Sequence, residues 1–150
     1  MTSPADAPDA QPDRQRAFIG RFLGVVPHLA ALGIRYRAHG PDWAELEMPY
    51  APQLVAYPET GVIASGAIFS LMDTASGLAV VMRMKELQPH ATLDLRCDYL
   101  RPAEPGKTVL GRAECYKMTR RIAFVRGIAH DGDPDHPVAH VAGTFMLTAA

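Results

Sequence analysis

The stretch SGAIFSLMDTASGLAVVMRM, from Ser65 to Met84, constrains this chain more than any other segment. It is a long apolar run interrupted mainly by small residues and by one carboxylate, Asp73. The run is too long for an ordinary strand, and its Ala, Leu and Met favour helix, although Gly66 and Gly77 lower the propensity. Ser65 suits the N-cap. The wider run from Val62 to Met82 approaches membrane-spanning length, but Asp73 at its centre and the scattered Gly, Ser and Thr argue against a span. The reading is a buried core helix. An ionised carboxylate in such a helix needs hydrogen bonds, a partner charge or a water-filled site. Asp73 therefore requires an explanation.

What surrounds this helix sets the fold class. Before it, PDRQRAFIGRFLGVVP spaces Phe18, Ile19, Phe22 and Leu23 as a short amphipathic helix, with Pro12 near its first turn and Pro27 beyond its end. Ile34 to Ala38 and Trp43 to Met48 read as a hairpin about the turn residues His39-Gly40-Pro41-Asp42. Tyr50 to Gly61 reads as a proline-bearing loop. After Pro89, Leu93, Leu95, Cys97 and Tyr99 alternate with Thr92, Asp94, Arg96 and Asp98, the pattern of a half-buried strand. Thr108 to Met118, Ile122 to His130 and Pro137 to Thr148 follow as strands joined by short loops, which implies an antiparallel meander. The last of these is apolar or small on both faces and is expected to be covered on both sides and to pair centrally. One buried helix followed by long antiparallel strands gives an α+β architecture in which the sheet wraps the helix.

A chain of 150 residues with 48% hydrophobic content has room for one compact domain, expected over residues 12–150. Residues 1–11, rich in Pro, Ala and Asp, are expected to be a disordered lead-in. They carry neither a basic start nor an apolar stretch, so no secretory signal is read and the expected compartment is the cytoplasm. Fifteen Lys plus Arg against 16 Asp plus Glu leave no global field to recruit nucleic acid or an anionic membrane. Cys97 and Cys115 lie in strand-like stretches without metal or redox spacing and read as buried thiols. None of the histidines at 28, 39, 90, 130, 136 and 140 forms a ligand-spaced pair on a helix, which disfavours a metal site.

No phosphate loop, nucleophile-elbow serine or Cys with a His partner can be found by spacing, which disfavours covalent Ser or Cys catalysis. What remains is Asp73 with the helix start. Gly66 stands seven residues earlier, roughly 10 Å along the axis and on nearly the same helical face. Unpaired N–H groups and the helix dipole at Ser65-Gly66 suit an oxyanion, and Gly66 lets a ligand approach the backbone. The bland alternative stays open: Ser65 as a plain cap, Gly66 as a packing residue, and Asp73 bonded to a neighbouring Ser or Thr. Basic residues gather at strand ends, Arg101 after Leu100 and Lys117, Arg120 and Arg121 around a turn, where they suit phosphates or merely water.

The segments TGVIASGAIFSLMDTASGLA, ATLDLRCDYLRPAEPG and AECYKMTRRIAFVRG resemble the hotdog-fold thioesterases of the phenylacetate-pathway (PaaI-like) group over roughly residues 15–148. The resemblance implies a long central helix wrapped by a curved antiparallel sheet. It also implies an acyl-CoA substrate carrying a small or aromatic acyl group, and no cofactor other than the CoA of the substrate. In that group an acidic residue stands seven positions after the second Gly of a His-Gly-Gly step, and Asp73 matches it as general base or nucleophile. A backbone N–H at the Gly step holds the carbonyl oxygen across the subunit interface, so a homodimer or a dimer of dimers is implied. The His-Gly-Gly step reads Ala64-Ser65-Gly66 here, and the family Asn ahead of the turn bearing Gly61 reads Tyr57. The Ser65 amide survives these changes, and the Tyr57 hydroxyl either replaces the Asn hydrogen bond or fills the pocket. Two readings result: hydrolysis by Asp73, or a module that binds acyl-CoA or another apolar ligand without turnover. A hydratase is a weaker third.

Overall fold

The computed structural model describes residues 11–148, with side chains from Arg14 onward. The lead-in expected at the amino terminus lies outside the described residues except for Gln11, which already opens a helix. The order is α1 (Gln11–Val25), α2 (Pro27–Leu32), β1 (Arg35–His39), β2 (Trp43–Met48), a 3-10 turn (Pro52–Leu54), β3 (Val55–Tyr57), β4 (Val62–Ile63), α3 (Ser65–Arg83), β5 (His90–Tyr99), β6 (Val109–Met118), β7 (Ile122–His130) and β8 (Ala139–Leu147). Pro27 does lie beyond α1, but it also begins α2, where a missing N–H is harmless and φ is preset for helix. The loop expected over Tyr50–Gly61 contains the 3-10 turn and half of a small hairpin, β3 against β4.

Six strands form one antiparallel sheet in the order β1-β2-β6-β7-β8-β5, and α3 lies across its inner face, packed chiefly on β6 and β2. That face is lined with small residues, including Ala44, Gly111, Ala113 and Ala129, all buried. The helix meets them with Ile68, Leu71, Met72, Ala75 and Ala79, nearly all fully buried. Burying each large side chain of this set contributes about 1.5–3 kcal/mol. The approach is closest at Gly111, where a Cβ would stand 2.9 Å from both Leu71 Cγ and Met72 Sδ. By length and composition α3 is apolar enough to cross a membrane, but 56% of it is buried inside the fold, as for the core helix of a globular domain. One continuous core runs from Ile19 on α1 to Leu147 on β8.

Two expectations about the later strands need correction. β8 pairs on both sides, but it lies next to the edge strand rather than centrally. Only its inner face, with Val141, Phe145 and Leu147, is buried, while Ala142 and Met146 are exposed because no second layer among the described residues covers the outer face. β5 is the edge itself and is mostly exposed: Leu95 and Cys97 are half-buried, and Leu93 and Tyr99 are open. Of the two thiols expected to be buried, only Cys115 is.

β5 also breaks its own alternation. Thr92 pairs with Phe145 and Asp94 with Thr144, so Leu93 is an extra residue, a β-bulge. Directly opposed residues share a face. Thr92 opposite Phe145 and Cys97 opposite Val141 therefore both face inward, although five positions apart. The bulge turns Thr92 from the outer face assigned by alternation to the side of α3.

Past the ends of β5 and β7, Arg101 clamps two loops. Its guanidinium donates to both oxygens of Asp131, at 2.9 and 2.6 Å, and to the His136 carbonyl at 2.7 Å, and Asp131 also accepts from the Glu104 amide at 2.8 Å. The β5–β6 loop is thereby tied to the β7–β8 loop. The Arg101 hydrogen bonds hold the buried Asp131 carboxyl well below the usual carboxylate range.

A methyl group at 111 has to displace Leu71 or Met72. Gly111→Ala is therefore expected to lower stability by about 1–3 kcal/mol, read as a lower urea midpoint; an unchanged midpoint would contradict the close seating of α3. The clamp carries a sign with pH. Because the folded pKa of Asp131 is depressed, its contribution is complete above the ordinary aspartate value, near pH 4, and is lost as the pH falls below it towards the folded value. Asp131→Asn should thus melt at a lower temperature than the parent at pH 7, with the gap closing towards pH 2.

Candidate functional site

Asp73 belongs to the half of α3 turned away from the sheet. The buried residues Leu71, Met72 and Ala75 take the sheet side, while Gly66, Ser70, Asp73, Thr74 and Gly77 form the opposite stripe, exposed or half-buried. Asp73 is accordingly half-buried rather than enclosed, which corrects the expectation of a buried carboxylate. Its Oδ1 accepts a hydrogen bond from Thr92 Oγ1 at 2.8 Å, across from the bulged end of β5. Thr92 is a residue that strict alternation hides.

Asp73 and Thr92 lie on the wall of a cavity of about 750 Å³ between α1, α2, α3 and the start of β5. Its apolar surface comes from Phe18, Phe22 and Leu29 on the amino-terminal helices, from Leu78 and Val81 on α3, and from Phe145 on β8. The amphipathic reading of α1 thus splits: Ile19 and Leu23 enter the core, while Phe18 and Phe22 stay partly exposed at the cavity. A polar bridge crosses the cavity rim, His28 Nε2 to Ser70 Oγ at 3.0 Å. Neither His28 nor Ser70 stood out by spacing, because the two are joined only when α2 folds against α3.

At its other end α3 begins without a side-chain cap. Ala64 is the N-cap, and Ser65, expected there, is the first helical residue. The Ser65 and Gly66 amides belong to the first turn, which has no intrahelical acceptors. Both residues are exposed, and a Cβ at 66 would meet nothing within 4 Å. The Ser65 carbonyl accepts from the Tyr99 hydroxyl at 2.9 Å, which joins the helix start to β5. Although the side chain is exposed, partial burial of its hydroxyl, with a hydrogen bond to Cys97, pushes the Tyr99 hydroxyl up to about 12, so it stays a donor. Neither Ser65 nor Gly66 lines the cavity that holds Asp73. Within one chain the two are not brought into one pocket.

The remaining sequence candidates separate. Tyr57 is 63% exposed and lies outside the cavity, and its carbonyl accepts the amides of Thr60 and Gly61 at 3.0 Å. Gly61 serves that turn: its φ of 70° suits glycine, and its carbonyl is held by the Tyr50 hydroxyl at 2.8 Å. The Ala64 amide donates to the Leu54 carbonyl at 2.8 Å. Arg101, expected to serve substrate phosphate, is engaged by Asp131 in a loop clamp. Arg120 and Arg121 are exposed on the β6–β7 turn. Among the described residues no group of three His, Cys, Asp or Glu is placed to hold a metal ion.

Comparison with known proteins agrees with this architecture. The family model described as Thioesterase superfamily matches residues 60–138, from the β3–β4 turn to the last loop. The medium/long-chain acyl-CoA thioesterase YigI of Escherichia coli K12 is 25% identical over 140 residues, covering 84% of this chain and 88% of that protein. A solved protein of Pseudomonas aeruginosa superposes with a TM-score of 0.80 at 42% identity, covering 88% of this chain and 98% of that one. The E. coli PaaI protein of the phenylacetic acid degradation operon, at 19% identity, shares the fold with a TM-score of 0.79 over 94% of this chain and 96% of its own. With its central helix laid on a curved antiparallel sheet, the chain belongs to the Thioesterase superfamily and has the hotdog fold.

Proposed function

We propose that this protein hydrolyses acyl-CoA thioesters, with Asp73 as the general base or nucleophile. The observation that carries this reading is a carboxylate, oriented by Thr92, on the wall of an otherwise largely apolar cavity. As general base, Asp73 takes a proton from water, whose oxygen adds to the thioester carbon. The oxyanion then rests on backbone N–H groups, the C–S bond breaks, and the CoA thiolate leaves with the proton. The cavity volume and its apolar length along α3 support an acyl group longer than the small one implied by the PaaI-like resemblance, in line with the medium and long chains named for the YigI relatives. An aromatic acyl group of similar length fits the same walls.

Because Ser65 and Gly66 are exposed and do not line the cavity of their own chain, the oxyanion donors of one subunit are read as serving Asp73 of another. The edge of β5, unpaired among the described residues, favours this arrangement. It offers free backbone groups beside the exposed side chains of Leu93, Tyr99 and Leu100, so a second copy pairing there continues the sheet and covers them. Arg120 and Arg121 are the exposed cations proposed to meet CoA phosphates. Ala64 and Tyr57 place no polar side chain in the cavity, and this favours the second reading, binding of acyl-CoA without turnover.

Thiol release from a panel of acyl-CoAs tests the chemistry. Asp73→Asn is expected to lower kcat by about 10²–10⁴-fold and Thr92→Val by roughly 10-fold or more, the worth of one hydrogen bond to a charged group. Unchanged rates in Asp73→Asn would sink the mechanism, and calorimetric binding with no turnover in the parent would select the second reading. The assembly is checked separately: Leu93→Lys should shift the protein from dimer to monomer in sedimentation and abolish turnover together, whereas a parent that is monomeric and active would rule out the shared site.

A further inference from the structure

Gly77 lies in the middle of α3, one turn after Asp73, and lines the cavity. Glycine is a poor residue for a helix interior, so its presence there calls for a reason. Neither of the usual reasons applies. Its backbone is helical and its φ is not positive. Packing does not demand it either, since a Cβ would meet Phe145 Cε1 at 3.4 Å and His90 Nε2 at 3.6 Å, ordinary van der Waals contacts. Gly111 presents the opposite case, because there a Cβ would collide. A side chain at 77 longer than a methyl would press on Phe145 and His90, which line the same cavity, or extend into its space.

The wall on either side of this position changes character. Towards the helix start the cavity presents Ser70, Asp73 and Thr74, and past Gly77 it presents Leu78 and Val81 on α3 and then Leu87 on the segment leading to β5. From Asp73 to Val81 is roughly 12 Å along a helix axis. A group reacting at Asp73 has to pass Gly77 to reach the apolar end. We propose that Gly77 is the gate of an acyl passage: the absent side chain lets a linear aliphatic acyl chain run from Asp73 along α3 to Val81 and Leu87, which makes Gly77 the residue that sets acyl length. This rests on the cavity being the acyl site of the proposed thioesterase and adds which position limits the chain.

The experiment compares butyryl-CoA and decanoyl-CoA in the parent, Gly77→Ala and Gly77→Val. The parent is expected to favour decanoyl-CoA. Gly77→Val should lose at least tenfold in kcat/KM for decanoyl-CoA while keeping butyryl-CoA hydrolysis within about threefold. Gly77→Ala, whose methyl fits the contacts above, should melt at a higher temperature than the parent yet show a weaker loss in the same direction. That combination, a more stable helix with a narrower substrate range, is not what a purely structural glycine produces. Asp73→Asn, by contrast, should lower both activities alike, by about 10²–10⁴-fold. Non-hydrolysable thioether analogues of the two substrates read the passage without turnover: tighter binding of the decanoyl analogue that disappears in Gly77→Val supports it even in a protein that hydrolyses nothing. A chain-length preference unchanged in both variants, by rate and by analogue binding, overturns it, and should Gly77→Val not fold, the Gly77→Ala comparison decides alone.

Discussion

The seating of α3 on the inner face of the sheet is the contact on which the rest of this structure depends. It is possible because the strands beneath the helix present Gly111, Ala113 and Ala44, so that Leu71 and Met72 reach the sheet surface without larger side chains in the way. Dense packing of this kind leaves no freedom to rotate the helix. A turn of one residue would place Asp73 against aliphatic side chains and leave Leu71 in water. The seating thereby assigns each position of α3 to the core or to the cavity, and the polar stripe from Gly66 to Gly77 follows from it.

The edge strand supplies what the helix cannot. β5 is weakly covered in one chain, and its bulge at Leu93 puts two parts of the strand in different phase. One part sends Thr92 to Asp73, and the other sends Tyr99 to the Ser65 carbonyl. Both contacts fall on the exposed stripe of α3, one at the carboxylate and one at the uncapped helix start. A strand with regular alternation could not have turned both residues towards the helix, since they stand an odd number of positions apart.

Charge is distributed on a similar principle. Arg101 and Asp131 form a hydrogen-bonded pair between loops, where removal from water is offset by two direct bonds and by contacts to the backbone. Arg120 and Arg121 sit on a turn with no comparable enclosure. Residue type alone could not distinguish these arginines, because a guanidinium suits a phosphate and a buried carboxylate equally well.

The central helix, the antiparallel strands and the α+β class were legible in the amino-acid sequence, because each follows from local periodicity. The resemblance to hotdog thioesterases reached the family for the same reason, through a contiguous stretch around that helix. Tertiary structure alone decided the rest. It brought Phe18, Phe22 and His28 to the cavity from two distant helices, turned Thr92 inward through a bulge that alternation conceals, moved the cap from Ser65 to Ala64, and engaged Arg101 with Asp131. It also left β5 as an exposed edge and separated Gly66 from the cavity of Asp73, although helical spacing alone had put them on one face. The physical reason is range: periodicity reports which face of an element is apolar, whereas a site is made where faces of different elements meet, and that depends on packing no single segment encodes.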